Sequence, residues 1–271
     1  MYDKAIEAKS YIEKQFVGNP KTAIVLGSGL TSIMDELTDK VEILYEDIPN
    51  FMVSTVKGHV SKLIYGKLNG KEVLLMSGRF HFYEGYTMRE ITFPIYVFKL
   101  LGIKNLILTN SCGGVNEEKV SAGSIMVLND FVNLMPSNPL IGSNDDRFGP
   151  RFPDMTEPYS IELRKIAREK AKTLDIPYVE GTYAGFPGPY YETKAEIQMI
   201  KGMGSDTVGM STVPETIVSN YLGLNTLAFA TVTNMATGIQ KGKHSHENVV
   251  KMANIASKNL ALWIKLIVTE I

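Results

Sequence analysis

Val208-Gly209-Met210-Ser211-Thr212-Val213-Pro214-Glu215 runs from an apolar, strand-like segment straight into a helix start, and Gly188-Pro189-Tyr190-Tyr191-Glu192-Thr193 upstream does the same. Both place polar side chains where a strand hands over to a helix, which is where an open α/β sheet binds its ligand. Thr212 to Glu215 fits a capping box, with Pro214 in the first helical turn, where its missing N–H costs little. The expectation is an α/β enzyme acting on a small molecule.

The same alternation extends outward from this pair. Apolar, β-branched runs recur at 23–26, 62–65, 73–76, 106–108, 125–128, 182–184, 207–210 and 227–232. Runs that are continuous rather than alternating suit strands buried on both faces. Helical patterns lie between them at 87–101, 160–173, 192–203 and 212–222, and residues 1–14 read as an amphipathic helix. Thr87-Met88-Arg89-Glu90 is a second capping box. The last helix carries a stripe of Val249, Ala253, Ala256, Leu260, Trp263 and Ile267, with His246 one turn earlier on the same side, expected to point inward. The long irregular stretch 133–158 contains Arg147-Phe148-Gly149-Pro150-Arg151-Phe152, which reads either as a contact with another subunit or the ligand, or as a mobile surface loop.

Composition narrows the function. The chain has 271 residues, 44% of them hydrophobic, consistent with one domain spanning 1–271. Its 28 basic and 29 acidic residues give a net charge of -1, so no global field draws in a nucleic acid or an anionic membrane. No run approaches the roughly 20 apolar residues of a membrane span, and the start has no signal-peptide core. The single cysteine, Cys112, excludes an internal disulfide. A cytoplasmic protein is expected.

Several segments carry groups suited to chemistry. Gly27-Ser28-Gly29-Leu30 after the first strand can form a nest of N–H groups for an anion, or a simple tight turn. In Gly78-Arg79-Phe80-His81-Phe82-Tyr83-Glu84-Gly85-Tyr86, an extended chain turns Arg79, His81 and Tyr83 to one face, which fits either an oxyanion site or a surface ion-pair cluster. His59 is read as structural or catalytic. The small residues of Thr109-Asn110-Ser111-Cys112-Gly113-Gly114 let a ligand approach the backbone. Asn234 offers a donor and an acceptor to a heterocycle edge, or serves a turn. Together these describe an anion pocket of Ser28, Arg79, His81 and Ser211, hydroxyl partners in Tyr83 and His246, and a base-sized slot of Glu192 and Asn234 walled by Tyr191 and Met210. No carboxylate pair and no His/Cys/Asp cluster suggests two-carboxylate or metal chemistry.

With these motifs in this order, the chain resembles the trimeric purine nucleoside phosphorylases of the nucleoside phosphorylase family, through GSGL, GH, GRFHFYEGY, TNSCGG, GPYYET, VGMSTVPE, TN and HEN at 246–248. The resemblance implies one domain with a central mixed, partly barrel-like β-sheet flanked by helices. It also implies phosphorolysis of 6-oxopurine nucleosides such as inosine and guanosine, with phosphate as co-substrate and no metal or organic cofactor. By position, Ser28, His59, Arg79, His81, Ser111 and Ser211 look like the phosphate site. Tyr83, Met210 and His246 resemble contacts to the sugar, while Tyr191, Glu192, Val208 and Asn234 look like the purine site, and Asn234, His81 and Glu192 take catalytic roles. Phe148 resembles an aromatic donated to a neighbouring active site, which implies a homotrimer. Tyr191 stands where related enzymes often have phenylalanine, and Ser111-Cys112 where many have two alanines. Competing readings are a methylthioadenosine phosphorylase and a nucleoside-binding protein without turnover.

Overall fold

The apolar runs become strands, most of them longer than their apolar cores. The computed structural model describes residues 1–27, 31–53, 61–239 and 246–271; for Thr31 and residues 246–255 the backbone alone is described. The strands are β1 (Thr22–Val25), β2 (Thr38–Leu44), β3 (Lys62–Leu68), β4 (Lys71–Ser77), β5 (Asn105–Gly114), β6 (Ile125–Asn133), β7 (Val179–Gly185), β8 (Thr207–Gly209) and β9 (Asn225–Met235). The helices are α1 (Tyr2–Ile12), α2 (Met88–Ile91), α3 (Phe93–Leu100), α4 (Ile161–Leu174), α5 (Lys194–Gly202), α6 (Val213–Tyr221) and α7 (His246–Val268). Among the described residues, no helix is long and apolar enough to cross a membrane.

The strands form one mixed sheet in the order β2-β3-β4-β1-β5-β8-β7-β6-β9, and β9 also pairs with β5. That last pairing closes β5, β8, β7, β6 and β9 into a barrel, from which β1, β4, β3 and β2 extend as an open wing. The expected mixed, partly barrel-like sheet is therefore what the chain builds. Alternate residues of the central strands serve two cores. Ala23 and Val25 of β1, Leu74 and Met76 of β4, and Leu106 and Leu108 of β5 face one core, which includes Ala5, Ala8 and Ile12 of α1 and Tyr96 of α3. Ile24, Val73, Leu75 and Ile107 face the other, built with Leu163 and Ala167 of α4 and Leu260, Trp263 and Ile267 of α7. Burial on both faces is why these strands read as unbroken apolar runs. The buried Trp263 indole donates to Ala167 O at 2.8 Å, so the large ring locks α7 to α4 with no polar atom stranded.

Three local expectations change. The pattern at 87–101 is two helices, because Pro94 has no N–H to continue the ladder from α2, and the Thr92 hydroxyl instead caps back to Met88 O at 2.7 Å. β2 was not expected: it is an edge strand with Asp39, Lys40 and Glu42 outward and only Ile43 buried, so its hydrophobic signal is faint. The Thr212 capping box does not form, for a reason that belongs to the cavity below.

Candidate active site

The parallel strands β4, β1, β5 and β9 all end on one edge of the sheet, so their C-terminal residues converge. β5 pairs with β1 only as far as Leu108 and meets β8 only at Gly113. Along that edge, residues between Leu108 and Gly113 are left uncovered by a neighbouring strand, and a cavity of about 340 Å³ opens there. This lies within the size range of small-molecule sites. Because β8 runs antiparallel to β5, it returns from Gly114 and delivers Met210 and Ser211 to the same place. The cavity brings together Arg79, His81, Tyr83, Ser111, Tyr191, Glu192, Val208, Met210, Ser211 and Asn234, ten residues singled out in the sequence.

One end of the cavity is lined by the hydrogen-bond donors expected to hold an anion. Arg79 leaves β4 and is almost wholly buried, at 2% exposed. Its Nη1 lies 3.2 Å from Thr212 Oγ1 and 3.5 Å from Glu215 Oε1, and its Nη2 donates to Val25 O at 3.4 Å and to Thr109 O. The Nε–H is buried with no acceptor among the described residues. Gly27 is required beside it, because a Cβ there would stand 2.7 Å from both Thr109 O and the Asn110 Cα. The Thr109 hydroxyl closes that crossing, accepting from Gly27 N at 2.9 Å and donating to Val25 O at 3.0 Å.

His81 is not followed by extended chain, as the alternation suggested, but caps a short 3-10 turn, Phe82–Glu84. The turn swings Glu84 back, so that its Oε1 accepts from His81 N at 2.8 Å and lies 3.1 Å from His81 Nδ1. A carboxylate at Nδ1 orients the ring by accepting from that nitrogen when it carries the proton. The Tyr83 ring stacks on the His81 ring with centroids 4.7 Å apart. Its phenol is pushed up to about 12, first by burial and then by the Glu84 charge, so it is a neutral hydroxyl at physiological pH.

Thr212 holds φ +71° and ψ -46°, a conformation costly for a β-branched residue. Val213 N donates to Ser211 O at 2.8 Å, closing a γ-turn centred on Thr212. The turn withdraws the Thr212 hydroxyl from the helix end, which is why no capping box forms. Instead Thr212 Oγ1 lies 2.9 Å from Asn110 Nδ2 and 3.2 Å from Ser211 Oγ, in addition to Arg79. Ser211 N also reaches the Tyr183 hydroxyl at 3.4 Å.

The other end suits a heterocycle. Cys112 pairs with Val232 and Gly113 with Asn234, so Thr233 is an extra residue in β9, a bulge that re-aims Asn234. The Thr233 hydroxyl lies 3.0 Å from Asn234 Oδ1 and 3.3 Å from Cys112 O, and Asn234 Nδ2 donates to Met235 O at 3.2 Å. Val208 pairs with Gly113 on its other side. Glu192 precedes α5, which begins after a Thr193–Glu196 capping box rather than at Glu192 itself. Glu192 is 5% exposed, and burial holds its carboxyl above the ordinary range. Tyr191 stays half exposed at the mouth. Burial likewise pushes the Cys112 thiol up to about 12, which makes it a packing residue rather than a nucleophile.

Comparison with known proteins matches residues 21–269 to the family model described as the phosphorylase superfamily. Purine nucleoside phosphorylase 1 of Bacillus subtilis is 45% identical over 100% of this chain and 99% of its own length. The chain belongs to the phosphorylase superfamily. Within it, the chain groups with the purine nucleoside phosphorylases, since that of Bos taurus is also 40% identical over 93% of this chain and 89% of its own. The solved structure of isoform 2 from Schistosoma mansoni, in complex with cytosine and ribose-1-phosphate, superposes with a TM-score of 0.94 at 38% identity, covering 100% of this chain and 97% of that one.

Three further residues were expected at this site. Ser28 and His59 lie outside the described residues, and so does the His246 side chain, although its backbone begins α7. Phe148, expected at a neighbouring subunit's site and not at this cavity, is buried 5.4 Å from the Tyr2 ring and 4.8 Å from the Tyr96 ring, and lines a separate cavity with Arg89 and Tyr221. The exposed aromatic of that segment is Phe152. Residue-by-residue reading missed Glu84, Asn110, Thr212, Thr233 and Glu215. Each sits inside a quoted motif, but its role depends on a turn, a bulge or a strand crossing that the sequence pattern does not display.

Proposed function

We propose that this chain catalyses the phosphate-dependent, reversible cleavage of the N-glycosidic bond of 6-oxopurine ribonucleosides and deoxyribonucleosides, yielding the free base and pentose 1-phosphate for purine salvage in the cytoplasm. The observation that carries the reading is the spacing of two unlike polar clusters on β5. The guanidinium of Arg79 contacts Thr109, and Asn234 pairs with Gly113, four residues further on. At about 3.3 Å per residue the two ends are roughly 13 Å apart, which leaves room for a sugar between an anion and a base.

In this reading, Arg79, His81 and Ser211 hold phosphate, with Ser28, His59 and the backbone at Ser111 added by the family resemblance. The phosphate oxygen attacks the anomeric carbon while the C–N bond breaks, and its charge stabilises the oxocarbenium-like sugar. The bonding pair leaves with the purine, where the Asn234 amide donates to the growing negative charge and Glu192 accepts from N1–H. Tyr83 and Met210 flank the sugar, His246 takes the 5'-hydroxyl, and Tyr191 and Val208 line the base. Inorganic phosphate is the co-substrate, and no metal or organic cofactor takes part. Incubation with inosine, guanosine, adenosine and methylthioadenosine tests the assignment. Turnover of the first two supports it, dominant use of methylthioadenosine replaces it with that branch of the family, and binding without turnover replaces it with a nucleoside-binding protein.

Glu192 links stability to function. Its folded carboxyl lies above the ordinary value of 4.5 because of burial, so the folded state binds the proton more tightly than the unfolded chain. The resulting penalty is absent below the unfolded value and complete once pH has risen through the folded one. Glu192→Gln is therefore expected to melt above the parent at pH 8 and to converge with it toward pH 4. Its kcat/KM for inosine should fall about tenfold or more, the equivalent of ~1–3 kcal/mol for a mismatched buried partner. Melting curves across that range with parallel inosine assays check both halves; a variant less stable than the parent at pH 8 contradicts the first.

The family resemblance also supports a homotrimer with Phe148 donated to the neighbouring site. Light scattering should then give near three times the 30.0 kDa chain mass. Because the ring packs against Tyr2 and Tyr96, Phe148→Ala is expected to cost about 3–5 kcal/mol of stability in addition to any loss of nucleoside binding. Denaturant titration reads the first, nucleoside KM the second, and an active monomer removes the shared site.

A further inference from the structure

We infer that Glu215 is a positioning residue for Arg79, holding in place the guanidinium plane that meets phosphate. The inference rests on the reading that the Arg79 end of the cavity takes phosphate. A guanidinium has five N–H donors in a fixed plane. Three hydrogen bonds to protein groups are formed, Nη1 donating to Thr212 Oγ1 and Nη2 to Val25 O and Thr109 O, and Glu215 Oε1 lies 3.5 Å from Nη1 as an ion pair. The donor on Nε is buried without an acceptor among the described residues. Val25, Thr109 and Thr212 belong to backbone features, the end of β1, the middle of β5 and a strained turn. Glu215 differs, because it is a buried side chain in the first turn of α6 whose one ion-pair partner among the described residues is Arg79.

A carboxylate so close to an anion site repels phosphate and cancels the charge of Arg79. Its value there is geometric: it helps to hold the guanidinium plane fixed at the end of the cavity. Reach and charge can therefore be separated by substitution. Glu215→Asp keeps the charge and withdraws the acceptor by one methylene, whereas Glu215→Gln keeps the reach and removes the charge.

Steady-state assays with inosine and inorganic phosphate test the point, with folding of each variant checked by melting. Glu215→Asp is expected to raise the KM for phosphate about tenfold while the KM for inosine stays within about twofold. Glu215→Gln should keep the phosphate KM within about threefold of the parent, or lower it, since a repelling charge is gone. The opposite order of the two variants, or an inosine KM that rises together with the phosphate KM in Glu215→Asp, overturns the inference. Failure of the parent protein to respond to phosphate overturns the underlying reading instead, so the two failures are distinct.

Discussion

Arg79→Ala is expected to remove most of the response to phosphate and to weaken the fold at the same time. The side chain is 2% exposed and ion-paired to Glu215, itself 5% exposed. Removing one partner of a buried pair leaves the other charge uncompensated, at a cost of about 3–5 kcal/mol. The lost charge-assisted contact to phosphate adds ~2 kcal/mol or more to the barrier, about thirtyfold in kcat/KM for phosphate. Arg79→Lys should recover little activity, because an ammonium cannot reproduce a planar fork that donates to Thr212, Val25 and Thr109 at once. Adding Glu215→Gln to Arg79→Ala separates the effects: stability should return in good part, and phosphate use should not. Urea denaturation with phosphate titration of all three proteins decides it. An Arg79→Ala protein with parental stability and an unchanged phosphate KM would remove Arg79 from the site.

Inosine is expected to exceed adenosine in kcat/KM by roughly 10²- to 10⁴-fold, because two buried polar groups are mismatched by adenine at about 1–3 kcal/mol each. The Glu192 carboxylate accepts from the N1–H of hypoxanthine or guanine, but adenine presents an unprotonated acceptor at N1. The Asn234 amide donates to a 6-oxo group, whereas a 6-amino group calls for an acceptor. The bulge at Thr233 and the Thr233 hydroxyl 3.0 Å from Asn234 Oδ1 hold that amide in one orientation, so it cannot freely turn to suit the wrong base. Asn234→Asp replaces the donor by an acceptor and should shift the ratio toward adenosine. Specificity constants on both nucleosides for both proteins measure this, and equal use of the two by the parent would end the assignment.

The sequence made the central sheet legible where burial is two-sided. β1, β4 and β5 alternate between two cores, and each was visible as an unbroken apolar run. β2 escaped because an edge strand with three charged residues facing out carries almost no apolar pattern. Closure of the barrel depends on β5–β9 and β6–β9 pairings between residues roughly a hundred apart or more, which no local periodicity encodes; its expectation came from family resemblance alone. The cavity was legible as a set of residue types, and ten of those residues line it. Their supports were not. Thr212 reads as a helix cap and is instead the hub between Arg79, Asn110 and Ser211, because one positive φ redirects its hydroxyl. Glu84 reads as one residue of an aromatic run, and a single 3-10 turn makes it the partner of His81. Phe148 reads as an exposed contact residue, yet its own chain supplies Tyr2 and Tyr96 to bury it.

The central claim is that this cavity uses phosphate, not water, to break a glycosidic bond. The direct measurement is hypoxanthine release from inosine in buffer freed of phosphate, then with phosphate added, with the sugar product identified in each case. The account predicts negligible release without phosphate, saturable release with it, and pentose 1-phosphate in one-to-one ratio with the base. Equal release in both buffers, with free pentose as the product, would mean hydrolysis and would contradict it.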